Sequence, residues 1–279
     1  MPLLYVVATP IGNSADLSAR AAQVLGSVDL IAAEDTRRCL RLLAQLGISR
    51  PVLAYHDHSD TRRLESLLEK LLGGQNIALV SDAGTPLVSD PGYRLVRGAL
   101  DAGVQVTAVP GPCAAMAALS IAGLPSDRFV FEGFLVARTE GRRARLAELA
   151  GETRTMIFYE SPRRVAASLR DMVEAFGQGR AAVVARELTK VHETLLCGSL
   201  AELAARVAAD PEQQLGEIVL LVHGAPAVDA AGVMVEVDTL LRALLARLPL
   251  KEAVACAVEI SGRPRNELYR AALEQRSDA

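Results

Sequence analysis

The chain has 279 residues, 51% hydrophobic and 23% charged, which supplies more than one core and excludes a largely disordered protein. No apolar run reaches the ~20 residues of a membrane span, and a strand-like run follows Met1-Pro2 directly, so a cytoplasmic protein with no membrane partner is expected. The formal charge of −3 argues against a generic polyanion binder, and Cys39, Cys113, Cys197 and Cys256 are too widely spaced for a disulfide framework or a zinc cluster.

Short apolar runs at Leu4 to Ala8, Leu30 to Ala33, Val52 to Tyr55, Ile77 to Val80 and Val104 to Val109 alternate with amphipathic stretches, which predicts βα repetition and strands covered on both faces. Between the third and fourth runs, Leu64, Leu67, Leu68, Leu71 and Leu72 keep a helical period, started by Asp60-Thr61 and closed by Gly73-Gly74. After Gly123 the strand pattern restarts with Phe129 to Phe134, Thr155 to Tyr159, Ala181 to Arg186, Glu193 to Cys197 and Glu217 to Val222. Only Leu188 to His192 separates the third and fourth of these, too few residues for a helical crossover, so this half is expected to be mixed or antiparallel. Residues 224–232 have linker composition, and three helices are predicted beyond them. In these, Val254, Ala257, Val258 and Ile260 form a stripe ending at Ser261-Gly262, and Pro264 starts a helix carrying Leu268, Tyr269 and Leu273. This tail reads as a docking appendage in preference to a helix-turn-helix unit. The expected organisation is two α/β domains, 1–123 and 124–224, with a cleft between them, and a helical appendage at 225–279.

Three strand ends share Pro- and Gly-rich exits: residues 5–13, 80–92 and 106–115. In the middle one Gly84 and Gly92 permit positive φ, Pro86 and Pro91 fix the path, and Ser81, Asp82, Thr85, Ser89 and Asp90 supply polar groups where open α/β sheets hold ligands. The plainer alternative is a turn that caps the next helix, with Asp90 as N-cap and Pro91 first in the helix. His56 and His58 flank Asp57 at another strand end, without an evident third metal ligand. Arginine clusters at Arg37, Arg38 and Arg41, at Arg138, Arg142, Arg143 and Arg145, and at Arg163, Arg164 and Arg186 with Lys190 suit either a phosphate-bearing substrate or solvated helix faces.

These loops, with Leu30-Ile-Ala-Ala-Glu-Asp-Thr-Arg37, His56-Asp-His58, Ile157-Phe-Tyr-Glu-Ser-Pro162 and Ala185-Arg-Glu-Leu-Thr-Lys190, resemble the ribosomal small-subunit RNA methyltransferase I family of the tetrapyrrole-methylase superfamily, in order and spacing from Leu4 to Val222. The resemblance departs at Ser14 and at Ser59-Asp60. It implies paired α/β domains of tetrapyrrole-methylase type, a homodimer, S-adenosylmethionine in the cleft, and methylation of a cytidine ribose 2'-hydroxyl in 16S ribosomal RNA, free or in the small subunit. Carried over by motif, the cofactor contacts are Pro10, Asp82, Ala83, Gly84, Thr85, Val88, Ser89, Cys113, Ala114, Phe158, Tyr159 and Ile218. Catalytic candidates are Glu34, Asp35 and Lys190, with His56 and Glu160 also considered. Arg37, His56, Arg142, Arg143 and Arg186 are expected on the RNA, with helix capping by Asp35 and a surface Arg186–Lys190 pair as the structural alternatives.

Overall fold

A computed structural model describes residues 2–56, 61–226 and 237–277; His58, Asp60 and most of the expected linker lie outside them. The first sheet contains β1 (Leu3–Val7), β2 (Leu30–Ala33), β3 (Val52–Ala54), β4 (Ile77–Val80) and β5 (Gln105–Val109), all parallel, in the order β3-β2-β4-β1-β5. Alternation along each strand feeds two cores. Val7, Ile31, Ala33, Ala78 and Val80 pack under α1 (Ala19–Ser27) and α2 (Thr36–Gln45). Leu4, Leu30, Ala32, Ile77 and Leu79 pack under α3 (Thr61–Leu72) and α4 (Tyr93–Asp101). Each fully buried Leu or Ile contributes about 1.5–3 kcal/mol, and both faces are needed because a strand apolar on both sides has no solvent side.

Local signals set the helix starts. Ser18 accepts from the Ala21 N–H at 3.0 Å, and Asp35 caps α2 by accepting from the Arg37 N–H at 2.8 Å. The expected cap at Asp90 is not formed. Helix α4 begins at Tyr93 behind Gly92, whose φ of 135° and tight fit, with an added Cβ only 2.8 Å from Leu79 Cδ2, leave room for glycine alone. Asp90 is thereby left in the loop.

The second sheet holds β6 (Phe129–Phe134), β7 (Thr155–Glu160), β8 (Ala181–Arg186), β9 (Thr194–Ser199) and β10 (Ile218–Val222) in the order β6-β7-β10-β8-β9. Only β6 and β7 run parallel; the other neighbours are antiparallel, the mixed sheet that the short β8–β9 connection predicts. One face packs on α6 (Thr139–Glu148), α7 (Val165–Phe176) and α8 (Leu200–Ala209). The opposite face, through Ile157, Val183, Ala185, Val219 and Leu221, packs on α5 (Ala114–Ile121), the helix that follows β5. Helix α5 therefore fastens the first sheet to the second, and both belong to one compact unit, Met1–Ala225.

Pro226–Ala279 forms a separate unit with α9 (Val237–Leu245), α10 (Leu250–Ser261) and α11 (Arg265–Ser277) around Leu241, Val254, Ala257, Leu268 and Ala272. Gly262, in the left-handed region at φ 66°, ends α10 where the sequence stops its stripe. Ile260, expected in that stripe, is 64% exposed; Tyr269 and Leu273, the apolar residues named on the last helix, are 42% and 48% exposed, and Ala272 takes an inner position there. No helix among the described residues is long and apolar enough to cross a membrane.

Candidate active site

Strands β1 and β4 are neighbours whose chains leave in opposite directions, β1 toward β2 and β4 toward β5, which creates a crevice at their carboxyl ends. Their exits are stitched together: the Thr9 N–H donates to the Gly84 carbonyl at 2.8 Å, and the Gly84 N–H to the Thr9 carbonyl at 3.0 Å. Gly84 makes this possible with φ 79°. A third exit joins through Thr85 Oγ1, which donates to the Pro112 carbonyl at 2.9 Å. From the second sheet, the Tyr159 hydroxyl accepts from the Ala115 N–H at 3.1 Å, satisfying a donor at the start of α5 that no N-cap side chain serves.

These four loops enclose a cavity of about 330 Å³. Its floor is the run from Ala83 to Asp90, in which Leu87 and Ser89 hold positive φ of 71° and 62°, strained for residues with a Cβ. Cys113 and Ala114 form one side; Tyr159, Leu188 and Val219 form the apolar other side.

The charged groups divide into held and exposed. Burial raises the Asp90 carboxyl to about 6; nearby Glu34 and Asp82 add to the rise and Ser81 opposes it. Hydrogen bonds from Arg37 lower Asp35 to about 2. Glu160 is 2% exposed and accepts from the Ser161 N–H at 2.7 Å, Arg164 Nε at 2.8 Å and Ser168 Oγ at 2.5 Å, so it braces the turn into α7. Burial acts to raise Glu187, but hydrogen bonds from Lys190 and the Glu217 N–H outweigh it and its pKa falls. Lys190 itself donates to Glu187 at 2.7 Å and lies 3.2 Å from Glu217. Gly12 packs so closely on this segment that an added Cβ would sit 2.5 Å from Lys190 Cγ, which closes the first exit loop onto the second sheet.

A family model described as "Tetrapyrrole (Corrin/Porphyrin) Methylases" matches residues 3–204, and one described as "RsmI C-terminal HTH domain" matches residues 231–276. The Ribosomal RNA small subunit methyltransferase I of Xylella fastidiosa (strain Temecula1) is 53% identical over 95% of this chain and 97% of its own. That of Escherichia coli O157:H7 is 53% identical over 98% and 95%. The chain belongs to the ribosomal RNA small subunit methyltransferase I family. Among solved structures the methyltransferase CobJ aligns with a TM-score of 0.60 at 21% identity, covering 81% of this chain and 95% of its own. Diphthine synthase aligns at 0.58 and 14% identity, over 80% and 90%. Both share the fold. The second family model, whose description names a helix-turn-helix domain, matches the tail read from sequence as a docking appendage.

Within this family member, Ala83, Gly84, Thr85, Val88, Ser89, Cys113, Ala114, Tyr159 and Ile218, expected at the cofactor, all line the cavity. Three expected cofactor contacts stand elsewhere. Phe158 is fully buried with Met156 on the far face of the second sheet, because alternate residues of a strand point to opposite sides. Pro10 and Asp82 lie beyond the Thr9–Gly84 stitch, lining a separate cavity with Arg38 and Arg41. The expected RNA clamp on α6 is largely internal: Arg142 is 3% exposed and paired at 2.6 Å with buried Asp171, while Arg143 is divided between Asp171 and Glu174. Arg186 is 8% exposed and donates to Thr194 Oγ1, while Lys190 pairs with Glu187 and Glu217, so the alternative of a surface Arg186–Lys190 pair is not formed. Arg37 is exposed but ion-paired with its capping Asp35, and His56 is exposed and lines neither cavity. The sequence reading missed Ile11, Phe134, Leu188, Gly216 and Val219 as lining residues; strand alternation from Tyr159 through its pairing with Val219 is the signal that locates the last.

Proposed function

We propose that this chain transfers a methyl group from S-adenosylmethionine to the ribose 2'-hydroxyl of a cytidine in 16S ribosomal RNA, as a homodimer acting in the cytoplasm. The observation that carries the reading is a ligand-sized cavity at the switch point of a chain about half identical, end to end, to proteins named Ribosomal RNA small subunit methyltransferase I. The first α/β half supplies the exits that bind, and the second closes over them.

The cavity suits the cofactor. Backbone N–H groups of Ala83 and Thr85 offer fixed donors, Leu188 and Val219 an apolar wall, and the Asp90 carboxylate a counter-charge for a sulfonium. Bound there, S-adenosylmethionine supplies an activated methyl group. The protein's task is positioning, which contributes several kcal/mol and up to roughly 7–11 in well-oriented reactions. Backbone exits stitched by hydrogen bonds perform it well because they move little.

A ribose hydroxyl is a poor acid, so a neighbouring group has to take or stabilise its charge. Asp35, held near 2 by Arg37, is a weak base and is assigned to capping α2 and holding Arg37. Glu34, which accepts from the Asp82 N–H at 3.3 Å, is the candidate to orient the hydroxyl, and Lys190 the candidate cation at the cleft edge.

The reading is tested by incubating the protein with methyl-labelled cofactor and assembled small subunits, naked 16S RNA or a tetrapyrrole. Label on a cytidine 2'-oxygen is the expected result, and label on the tetrapyrrole alone overturns it.

A further inference from the structure

We infer that the cavity on the α2 side of the Thr9–Gly84 stitch is a second binding site, taking one nucleotide of the RNA with its phosphate on Arg41 and Arg38 and its sugar or base edge at Thr9. The inference rests on the proposed function and adds where the RNA strand is held.

This cavity measures about 520 Å³, within the range of small-molecule sites, and is lined by Thr9, Ser81, Arg38, Arg41, Gln45 and Asp82 among others. Its chemistry differs from the apolar cavity beside it. Cationic, hydroxylic and amide side chains stand here beside Asp82 and the apolar Leu25, Leu42 and Val80, a mixed wall that suits a phosphodiester with its sugar or base.

On α2, Arg41 stands i+4 from Arg37 and i+3 from Arg38, like-charge neighbours that mildly disfavour the helix. They are unequally committed. Arg37 is bound to Asp35 through two side-chain hydrogen bonds. Arg38, half exposed, reaches Asp82 only at 3.3 Å. Arg41 is exposed, lines this cavity, and has no hydrogen-bond or ion-pair partner among the described residues. The phosphate contact expected at Arg37 is therefore better assigned to Arg41, one helical turn onward.

A second observation points to a ligand. Thr9 is 3% exposed, and its hydroxyl is buried without a partner among the described residues. Leaving such a group unpaired is unfavourable, and a ligand oxygen or nitrogen would satisfy it. The Asp82 carboxylate in the same wall already accepts from the Asp35 N–H at 2.9 Å and pairs with Arg38. Its charge selects a single phosphodiester over a di- or triphosphate, whose added negative charge it would repel.

The test uses the full chain, a labelled ten-nucleotide cytidine-containing oligoribonucleotide for equilibrium binding across a salt series, and small subunits for methyl transfer. Arg41→Gln should weaken oligoribonucleotide binding by about tenfold at low salt and flatten the log–log salt slope by about one. Arg41→Lys should recover much of both, and S-adenosylmethionine affinity should stay at the wild-type value in each. Thr9→Val, nearly isosteric, should raise the KM for subunits while Thr9→Ser does not. Wild-type affinity and slope in Arg41→Gln overturn the inference even where methyl transfer to RNA is confirmed. If the arginine dependence holds but no methyl reaches RNA, the pocket stands and the proposed function falls.

Discussion

Asp90 illustrates how a single residue changes meaning between sequence and structure. As an Asp before Pro it reads as a helix cap; two residues of extra loop turn it into a half-buried carboxylate facing Glu34 and Asp82. Its proton is released near 6 in the folded chain and near 3.8 in the unfolded one. Below the lower value both states hold the proton. Between the two only the native state does, so stability falls as pH rises through this window and stays lower above it. Asp90→Asn removes that loss, and its thermal midpoint should exceed wild type near pH 8 and match it near pH 4, by calorimetry. An unchanged midpoint near pH 8 would contradict the burial argument. The cavity-lining residues legible in sequence were those whose backbone is shaped by Gly and Pro, such as Gly84 and Thr85. Side-chain direction was legible only where strand parity was applied, and applying it to Tyr159 would have removed Phe158.

At the scale of elements, the strand runs and their approximate limits could be read, because largely apolar stretches bounded by turns leave few alternatives. Charged helix faces were harder. On α6 the arginines resemble an RNA clamp, yet the helix turns Arg142 inward onto Asp171 of α7, a pairing 29 residues distant that no local pattern announces. Removing one member strands the other. Arg142→Ala should therefore cost about 3–5 kcal/mol in urea unfolding, whereas Arg142→Met with Asp171→Leu should recover most of it. RNA affinity per folded molecule should be unaltered in the double variant; a loss there would restore the clamp.

At the scale of the whole molecule, the chain divides into the α/β unit that carries both cavities and a helical unit with its own core. Deleting residues 226–279 should leave a cooperatively melting protein with wild-type cofactor affinity, while transfer to RNA falls about tenfold or more through loss of a linked contact. Cofactor affinity lost with the tail would show that the units are not independent. Linker composition at residues 224–232 coincides with the break between the units, whereas a Gly-bent helix pair serves many purposes and its sequence names none of them.

The paired backbone bonds between Thr9 and Gly84 make one partition serve two chambers. A guest that stiffens this partition from either side lowers the entropic penalty for a guest on the other, and linkage demands that the favour be mutual and equal. Nucleoside and polynucleotide would then assemble as a cooperative pair, each holding the other in place.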